Sequence, residues 1–205
     1  MNKINVNIVA GVMHNYHVCS LPYAEKVLDL GAGTGNFANN YPYLFSKITF
    51  ADKEDSENNG FEKCRAAYYD DRYKHVVVTC DNLSLLQDNS YGMVNFTQVI
   101  EHLTDKEVDD TMEEIRRVLK PDGLLVVSTP NIKTRKIIGN YMANEWHTKE
   151  YTNDELLEVH KKHGFNVLVN KGILYVMSDG KIDIRNEPKT PDDGYHLWVI
   201  SQVKK

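Results

Sequence analysis

The segment Val27–Ala38 contains the residues whose types and spacing best fit a ligand site. Its first four residues have strand character, and glycines then occupy positions 31, 33 and 35. Glycines at the end of a buried strand let the main chain approach a bound molecule more closely than side chains would allow. A helix that begins there directs its free N–H groups at an anionic group of the ligand. The pattern predicts a nucleotide-type site at the carboxyl edge of a parallel sheet.

The order of the glycines and one nearby acid narrow the choice of ligand. Dinucleotide sites space their glycines as GxGxxG, with an acid about 20 residues later. This chain has GxGxG instead, and it lacks the GxxxxGK[ST] of a phosphate-binding loop. Asp29 stands two residues before the first glycine. An acid at that place would repel a pyrophosphate but would suit an ammonium or sulfonium group.

On these residues the chain resembles the class I S-adenosylmethionine-dependent methyltransferases, whose first motif is similar to Val27–Gly35. The resemblance extends from about Ala24 to the C-terminus, and it implies S-adenosylmethionine as the cofactor. The implied cofactor-binding residues are Asp29, Gly31, Ala32, Gly33, Gly35, Asp52, Lys53, Asp81, Asn82, Leu83 and Gln98.

Acids at the ends of neighbouring parallel strands converge on one crevice. Asp52 stands 21 residues after Gly31, where a carboxylate can accept both ribose hydroxyls. By the resemblance, Asp81 would bind the adenine amine, while Asp29 or the amides of the glycine turn would hold the methionine end. Gln98 would lie beneath the sulfonium.

The elements that must position these residues alternate between strand-like and helix-like runs, which predicts an α/β, doubly wound, mainly parallel sheet. We predict strands over Lys26–Leu30, Lys47–Ala51, His75–Thr79, Gly92–Gln98 and Leu124–Ser128, with a closing antiparallel pair over Phe165–Met177 and Tyr195–Val203. Helices are predicted from the glycines to about Leu44, over Gly60–Tyr69, from a Thr104/Glu107 capping box to Pro121-Asp122-Gly123, and over Asn153–His163. Asn131–Thr152 and Ser178–Gly194 are predicted to be long loops.

Length and composition bound the possible functions. The length of 205 residues predicts one domain over positions 1–205. Residues 1–24 are predicted to form a short N-terminal cap. We expect the apolar run Ile8–Met13 within this cap to cover the ligand. The net charge of −5 argues against broad nucleic-acid binding. Three cysteines without CxxC spacing indicate reduced thiols in a cytoplasmic protein, and no apolar run is long enough to span a membrane.

The residues after the fourth predicted strand, Glu101 and His102, are candidates for the acceptor side. Methyl transfer needs mainly alignment of the acceptor in a dry pocket, with removal of a proton where the acceptor is a hydroxyl. His102 could be that base. The alternative is that His102 only packs and hydrogen-bonds near the cofactor while Glu101 caps the adjoining helix. Asn-Pro-Pro-Tyr and Pro-Cys motifs are missing, which disfavours base amines and cytosine C5 as acceptors.

A second resemblance bears on the acceptor. Glu101, His102 and His147 are similar to three of four metal ligands in the small-RNA 3′-terminal 2′-O-methyltransferases, where Gln98 would be a carboxylate. The same motifs are similar to many bacterial small-molecule methyltransferases, whose histidines need no metal. We therefore predict a small-molecule acceptor with a hydroxyl, no metal, and His102, Glu101 and His147 as catalytic residues. The alternatives are a metal-dependent RNA methyltransferase and a partner subunit that binds the cofactor without catalysis.

Two features of the predicted loop 131–152 remain open. Lys133, Arg135 and Lys136 form a basic cluster that could meet an anionic substrate, although a solvated face is the simpler interpretation. Trp146 could equally border the acceptor pocket or anchor the core.

Overall fold

The computed structural model describes residues 21–53, 60–139, 144–183 and 186–204. Most of the proposed N-terminal cap, including Ile8–Met13, lies outside the described residues, so its role over the ligand stays a prediction.

The described residues form one eight-stranded sheet with helices on both faces. The strands are β1 (Ala24–Leu30), β2 (Phe45–Asp52), β3 (Tyr73–Val77), β4 (Tyr91–Thr97), β5 (Leu119–Pro130), β6 (Phe165–Val176), β7 (Ile182–Asp183) and β8 (Gly194–Val203). Their order is β3-β2-β1-β4-β5-β8-β6-β7. The first five strands in that order are parallel, and β8, β6 and β7 add antiparallel pairs. The predicted fold class is confirmed.

The helices are α1 (Asn36–Asn40), α2 (Gly60–Ala67), α3 (Asp105–Val118), α4 (Ile132–Ile138) and α5 (Asn153–Lys162), with 3-10 turns at Ile100–His102 and Pro191–Asp193. Because strand side chains alternate between faces, Val27 and Leu28 enter different apolar clusters. The cluster around Leu28 packs α3 and α5 against the sheet, and the cluster around Val27 packs α1 and α2.

The predicted capping box at the start of α3 is confirmed. The Thr104 hydroxyl accepts a hydrogen bond from the Glu107 amide at 3.3 Å, and the Glu107 carboxylate accepts one from the Thr104 amide at 2.8 Å. Val108, Met112 and Ile115 then bury one face of the helix. Two residues separate the turn Ile100–His102 from the start of this helix.

The largest differences from the predicted boundaries are in the first helix and the fifth strand. The first helix ends at Asn40 rather than near Leu44, because Pro42 disfavours helical conformation in the residue before it. The fifth strand begins at Leu119, which pairs with Tyr91 ahead of a register shift.

Both predicted long loops contain regular structure. The loop 131–152 contains α4, and Asn131 is its N-cap residue. The Asn131 side chain accepts a hydrogen bond from the Lys133 amide at 3.0 Å. Gly139 follows the helix as the C-cap residue, in the left-handed conformation. The loop 178–194 contains β7 and the turn Pro191–Asp193.

The strand order reverses at β1, which pairs with both β2 and β4. In sheets of this type, ligands bind in the crevice at the carboxyl ends of the strands at such a point. The glycine turn after β1 and the turn Ile100–His102 after β4 both lie there.

Candidate active site

The glycine turn after β1 has the backbone that its sequence predicts. Gly31, Gly33 and Gly35 have φ values of +74°, +51° and +79°, in the left-handed region that favours glycine. A Cβ on Gly31 would lie 2.4 Å from a Val99 methyl carbon. A Cβ on Gly33 would meet no described atom within 4 Å. The turn therefore packs tightly at its base and leaves space at Gly33, as a cradle for a ligand would.

Asp52 links the glycine turn to the end of β2. Its Oδ2 accepts a hydrogen bond from the Gly33 amide at 2.7 Å, and its Oδ1 accepts one from the Lys53 amide at 2.8 Å. Each carboxylate oxygen has two lone pairs and can accept more than one hydrogen bond. The partly exposed carboxylate fits the two ribose hydroxyls of an adenosyl group.

Asp29 is a buried acid with an unsatisfied oxygen. Its Oδ1 accepts a hydrogen bond from the Asn95 amide at 2.7 Å, whereas Oδ2 has no hydrogen-bond partner among the described residues. Burial raises the pKa of Asp29 to about 7, and the charge of Asp52 adds to that increase. A buried acceptor without a partner is unfavourable unless a ligand supplies the donor. The ammonium group of S-adenosylmethionine is a donor of the right kind.

The raised pKa of Asp29 has a consequence for stability. Between about pH 4 and pH 7 the folded protein holds a proton that the unfolded chain has released, so stability falls as pH rises through that window. We expect Asp29→Asn to remove this loss and to raise the free energy of unfolding at pH 8 by up to about 4 kcal/mol. At pH 4 the two proteins should be nearly equal. Urea unfolding at both pH values measures the difference, and an Asn variant destabilised equally at both would contradict it.

The adenine side of the candidate site differs in part from the expectation. The third strand ends at Val77, and an isolated bridge between Thr79 and Asn82 continues toward Asp81. The Leu83 side chain is buried in the core, and its amide donates to the Glu114 carboxylate at 2.8 Å. The Leu83 side chain and amide thus have contacts within the protein. Binding of adenine by Asp81, Asn82 or Leu83 stays a prediction.

Gln98 lies at a strained point directly after β4. Its φ of +58° is uncommon for a residue with a side chain. The Gln98 side-chain amide donates to the Ser128 hydroxyl at 3.1 Å, and its main-chain amide donates to the Ser128 carbonyl at 2.8 Å. This conformation turns the chain out of the sheet and into the turn Ile100–His102.

Glu101 is almost completely buried in that turn. Its carboxylate accepts a hydrogen bond from the Thr129 hydroxyl at 3.0 Å, and burial raises its pKa to about 7. The alternative in which Glu101 caps the adjoining helix is wrong, because the capping box consists of Thr104 and Glu107. The Glu101 carbonyl instead accepts the amides of Thr148 and Lys149, which joins the turn to the His147 segment.

His102 and His147 lie side by side, with ring centroids 5.1 Å apart and rings nearly perpendicular. The His102 Nδ1 is 2.8 Å from the Trp146 carbonyl oxygen, which can only accept, so Nδ1 carries the hydrogen and Nε2 the lone pair. His102 is partly exposed, and the partial burial of its ring lowers its pKa, which favours the neutral imidazole. One ligand-type atom from each of Glu101, His102 and His147 lies within 4.8 Å of the other two. The structure thus brings the three predicted catalytic residues together.

In the segment 131–152, the structure excludes the core alternative for Trp146 and the solvated alternative for Arg135. Trp146 is 68% exposed, so it does not anchor the core. Arg135 is buried rather than solvated, because α4 places its guanidinium Nε 2.9 Å from the Glu150 carboxylate. Lys133 does lie at the surface, where it pairs with Asp192.

The strand order, the glycine turn and the acids at the ends of β1 and β2 together define a nucleotide-cofactor fold of the methyltransferase type. The chain belongs to the class I S-adenosylmethionine-dependent methyltransferase family, since a family model described as a methyltransferase domain matches residues 10–169. S-adenosylmethionine is the cofactor of that family.

Curated relatives agree with this assignment. A probable S-adenosylmethionine-dependent methyltransferase of Mycolicibacterium smegmatis is 30% identical over 172 residues, which are 83% of this chain and 62% of the relative. One of Mycobacterium tuberculosis is 33% identical over 144 residues, 69% of this chain and 49% of the relative. The ubiquinone/menaquinone biosynthesis C-methyltransferase of Shewanella frigidimarina is 29% identical over 136 residues, which are 62% of this chain and 53% of the relative. The chain spans about half to three fifths of these relatives.

Solved structures share the fold at low sequence identity. A methyltransferase from Archaeoglobus fulgidus has a TM-score of 0.74 at 15% identity, covering 96% of this chain and 93% of its own. A Burkholderia thailandensis 1,6-didemethyltoxoflavin N1-methyltransferase, solved with S-adenosylhomocysteine, has a TM-score of 0.64 at 14% identity, covering 100% and 80%. A Haloferax volcanii methyltransferase in complex with the activator Trm112 has a TM-score of 0.71 at 18% identity, covering 96% and 90%.

Among the described residues, none of the helices combines the length and the apolar character that crossing a bilayer requires.

Proposed function

We propose that this protein transfers a methyl group from S-adenosylmethionine to a hydroxyl group of a small molecule. The observation that supports the proposal is the neutral His102 imidazole beside the cofactor crevice, with its lone pair on Nε2. A neutral imidazole suits the removal of a hydroxyl proton near neutral pH.

The roles of the residues follow from their contacts. When bound, the cofactor supplies a methyl group attached to a sulfonium sulfur, and the loss of that methyl group leaves the sulfur as a neutral thioether. Asp52 would hold the ribose hydroxyls and Asp29 the ammonium group, and the open space at Gly33 would admit the cofactor. His102 takes the proton of the acceptor hydroxyl on Nε2. Glu101 joins the turn after β4 to the His147 segment through its main-chain carbonyl.

Two free thiols, Cys64 in the core and the partly exposed Cys80, support a reducing compartment, and we place the protein in the cytoplasm. Cys64 and Cys80 are not in a disulfide, and burial raises the pKa of each thiol to about 12. Thiols with such a pKa are poorly reactive at neutral pH.

A second candidate is metal-dependent 2′-O-methylation at an RNA 3′ end. The observation that favours it is the convergence of Glu101, His102 and His147 within 4.8 Å. Two imidazoles and one carboxylate can hold a divalent transition metal. Against it, Gln98 is neutral and donates to Ser128, and the net charge is −5. The small-molecule reading therefore fits the charge of the chain better.

The test is methyl transfer from labelled S-adenosylmethionine to a panel of hydroxylated metabolites and a short RNA, with and without EDTA or Mn²⁺. Mass spectrometry of the products assigns the methyl group to oxygen, nitrogen or carbon. O-methylation of a metabolite that EDTA does not reduce supports the proposal. Methylation of carbon, of nitrogen or of RNA would contradict it. Cofactor binding with no acceptor in the panel would support the alternative of a partner subunit that binds the cofactor without catalysis.

We expect His102→Gln to lower the turnover number at least about 100-fold, because general-base catalysis contributes that much or more. The affinity for S-adenosylhomocysteine should change less than about 2-fold, since His102 takes no part in the proposed cofactor contacts. His163→Gln is the matched control, because that imidazole bonds to Asp109 and Glu113 on α3. Equal activities of the two variants would exclude His102 as the base.

A further inference from the structure

Glu150 is a buried acid that has no role so far, either in the proposed cofactor contacts or in proton removal by His102. Its side chain has no exposed surface. One oxygen, Oε1, lies 3.0 Å from the His147 Nδ1 and 2.9 Å from the Arg135 Nε. The other oxygen has no hydrogen-bond partner among the residues described. Buried ion pairs of this kind add little net stability compared with apolar side chains of similar size.

The chain segment that contains His147 and Glu150 is fixed at both ends. Thr148 donates its amide to the Glu101 carbonyl at 2.8 Å and its hydroxyl to the His102 carbonyl at 3.1 Å. The Tyr151 carbonyl accepts the Ile132 amide at the start of α4, the helix that positions Arg135. The contact between Glu150 and His147 is therefore held by both neighbouring elements.

A carboxylate oxygen can only accept a hydrogen bond, so the nitrogen that faces it must carry the hydrogen. For His147 that nitrogen is Nδ1, so in the neutral form of the imidazole the lone pair is on Nε2. His102 has the same arrangement, with a main-chain carbonyl in place of the carboxylate. Two neighbouring imidazoles thus each have Nδ1 occupied by a fixed acceptor.

We propose that Glu150, held by Arg135, is a positioning residue that fixes the His147 tautomer, so that His147 presents an unprotonated Nε2 beside His102. The inference rests on the proposed function in one respect: this Nε2 gives the acceptor proton a second site. During transfer, the hydroxyl oxygen bonds to the methyl carbon while the carbon–sulfur electron pair returns to sulfur. The hydroxyl proton passes to an imidazole Nε2 and then to solvent. The opposite tautomer would direct an N–H group at that place and would block it.

The test uses protein labelled with ¹⁵N-histidine, in which long-range ¹H–¹⁵N spectra at pH 8 identify the protonated nitrogen of each imidazole. Wild type and Glu150→Gln should both show His147 protonated on Nδ1, since a glutamine still offers an acceptor oxygen to Arg135 and His147. The double variant Arg135→Met with Glu150→Leu should shift His147 toward protonation on Nε2. Removing both partners avoids an unpaired buried arginine. His160, whose Nδ1 faces the Ser201 hydroxyl, is an internal reference in each spectrum.

Two results would overturn the inference: His147 protonated on Nε2 in the wild type, or an unchanged tautomer in the double variant. With an acceptor from the panel above, the double variant should lose on the order of 100-fold in turnover, and Glu150→Gln should recover most of it. The tautomer is read without any acceptor or cofactor. If no O-methylated product is found while the tautomer behaves as expected, the proposed function fails and the positioning of His147 stands.

Discussion

Asp52→Ala is expected to weaken the binding of S-adenosylhomocysteine by about 100-fold or more. A hydrogen bond to a charged group contributes roughly 1.5–3 kcal/mol, and the carboxylate would make one with each ribose hydroxyl. Its loss also frees the amide of Gly33, which now donates to Asp52 at 2.7 Å. Isothermal titration calorimetry measures the change in affinity.

The control for this variant is Asp71→Ala. Asp71 is an exposed acid that precedes β3, so it lies at the amino ends of the parallel strands, away from the candidate site. The control variant should bind S-adenosylhomocysteine as the wild type does. If Asp52→Ala binds within about 3-fold of wild type while its melting temperature is unchanged, the adenosyl group does not lie on Asp52.

Gly31→Ala is expected to destabilise the protein by about 3 kcal/mol. The new methyl group would lie 2.4 Å from a Val99 methyl carbon, and overpacking of this kind costs about 1–3 kcal/mol. The left-handed φ of +74° adds roughly 1–2 kcal/mol for a residue with a side chain. Urea unfolding followed by circular dichroism measures the loss.

Two further glycines separate strain, clash and ligand effects. Gly139→Ala is the matched control for strain alone, because its φ is +79° and no described atom lies within 4 Å of the new Cβ. It should be destabilised by about 1–2 kcal/mol. Gly33→Ala should lose a similar amount but should also bind S-adenosylhomocysteine at least about 10-fold more weakly. Equal stability of the Gly31 and Gly139 variants would show that Val99 yields to the methyl group.

The sheet and the cofactor side of the site were readable from the sequence, because their signals are local. An apolar strand, three alternating glycines and an acid at the next strand end each act through neighbouring backbone, so Asp29 and Asp52 could be placed from their positions alone. The capping box of Thr104 and Glu107 was readable for the same reason.

The surroundings of His147 could not be read in this way. Its contacts with Glu150 and Arg135 depend on α4, which the sequence analysis treated as loop. Asn131 and Gly139 mark the start and the end of that helix, but seven residues between them gave too short a pattern to separate from a loop. The burial of Arg135 results from tertiary packing, and it could not be predicted from residue type because arginines are mostly exposed.

The measurement that tests the central claim most directly is a crystal structure with S-adenosylhomocysteine bound. The ribose hydroxyls should lie on the Asp52 carboxylate, the ammonium group should reach the Asp29 Oδ2, and the sulfur should face His102. A ligand that leaves Asp29 and Asp52 without contact, or a sulfur remote from the imidazole pair, would contradict this account of the site.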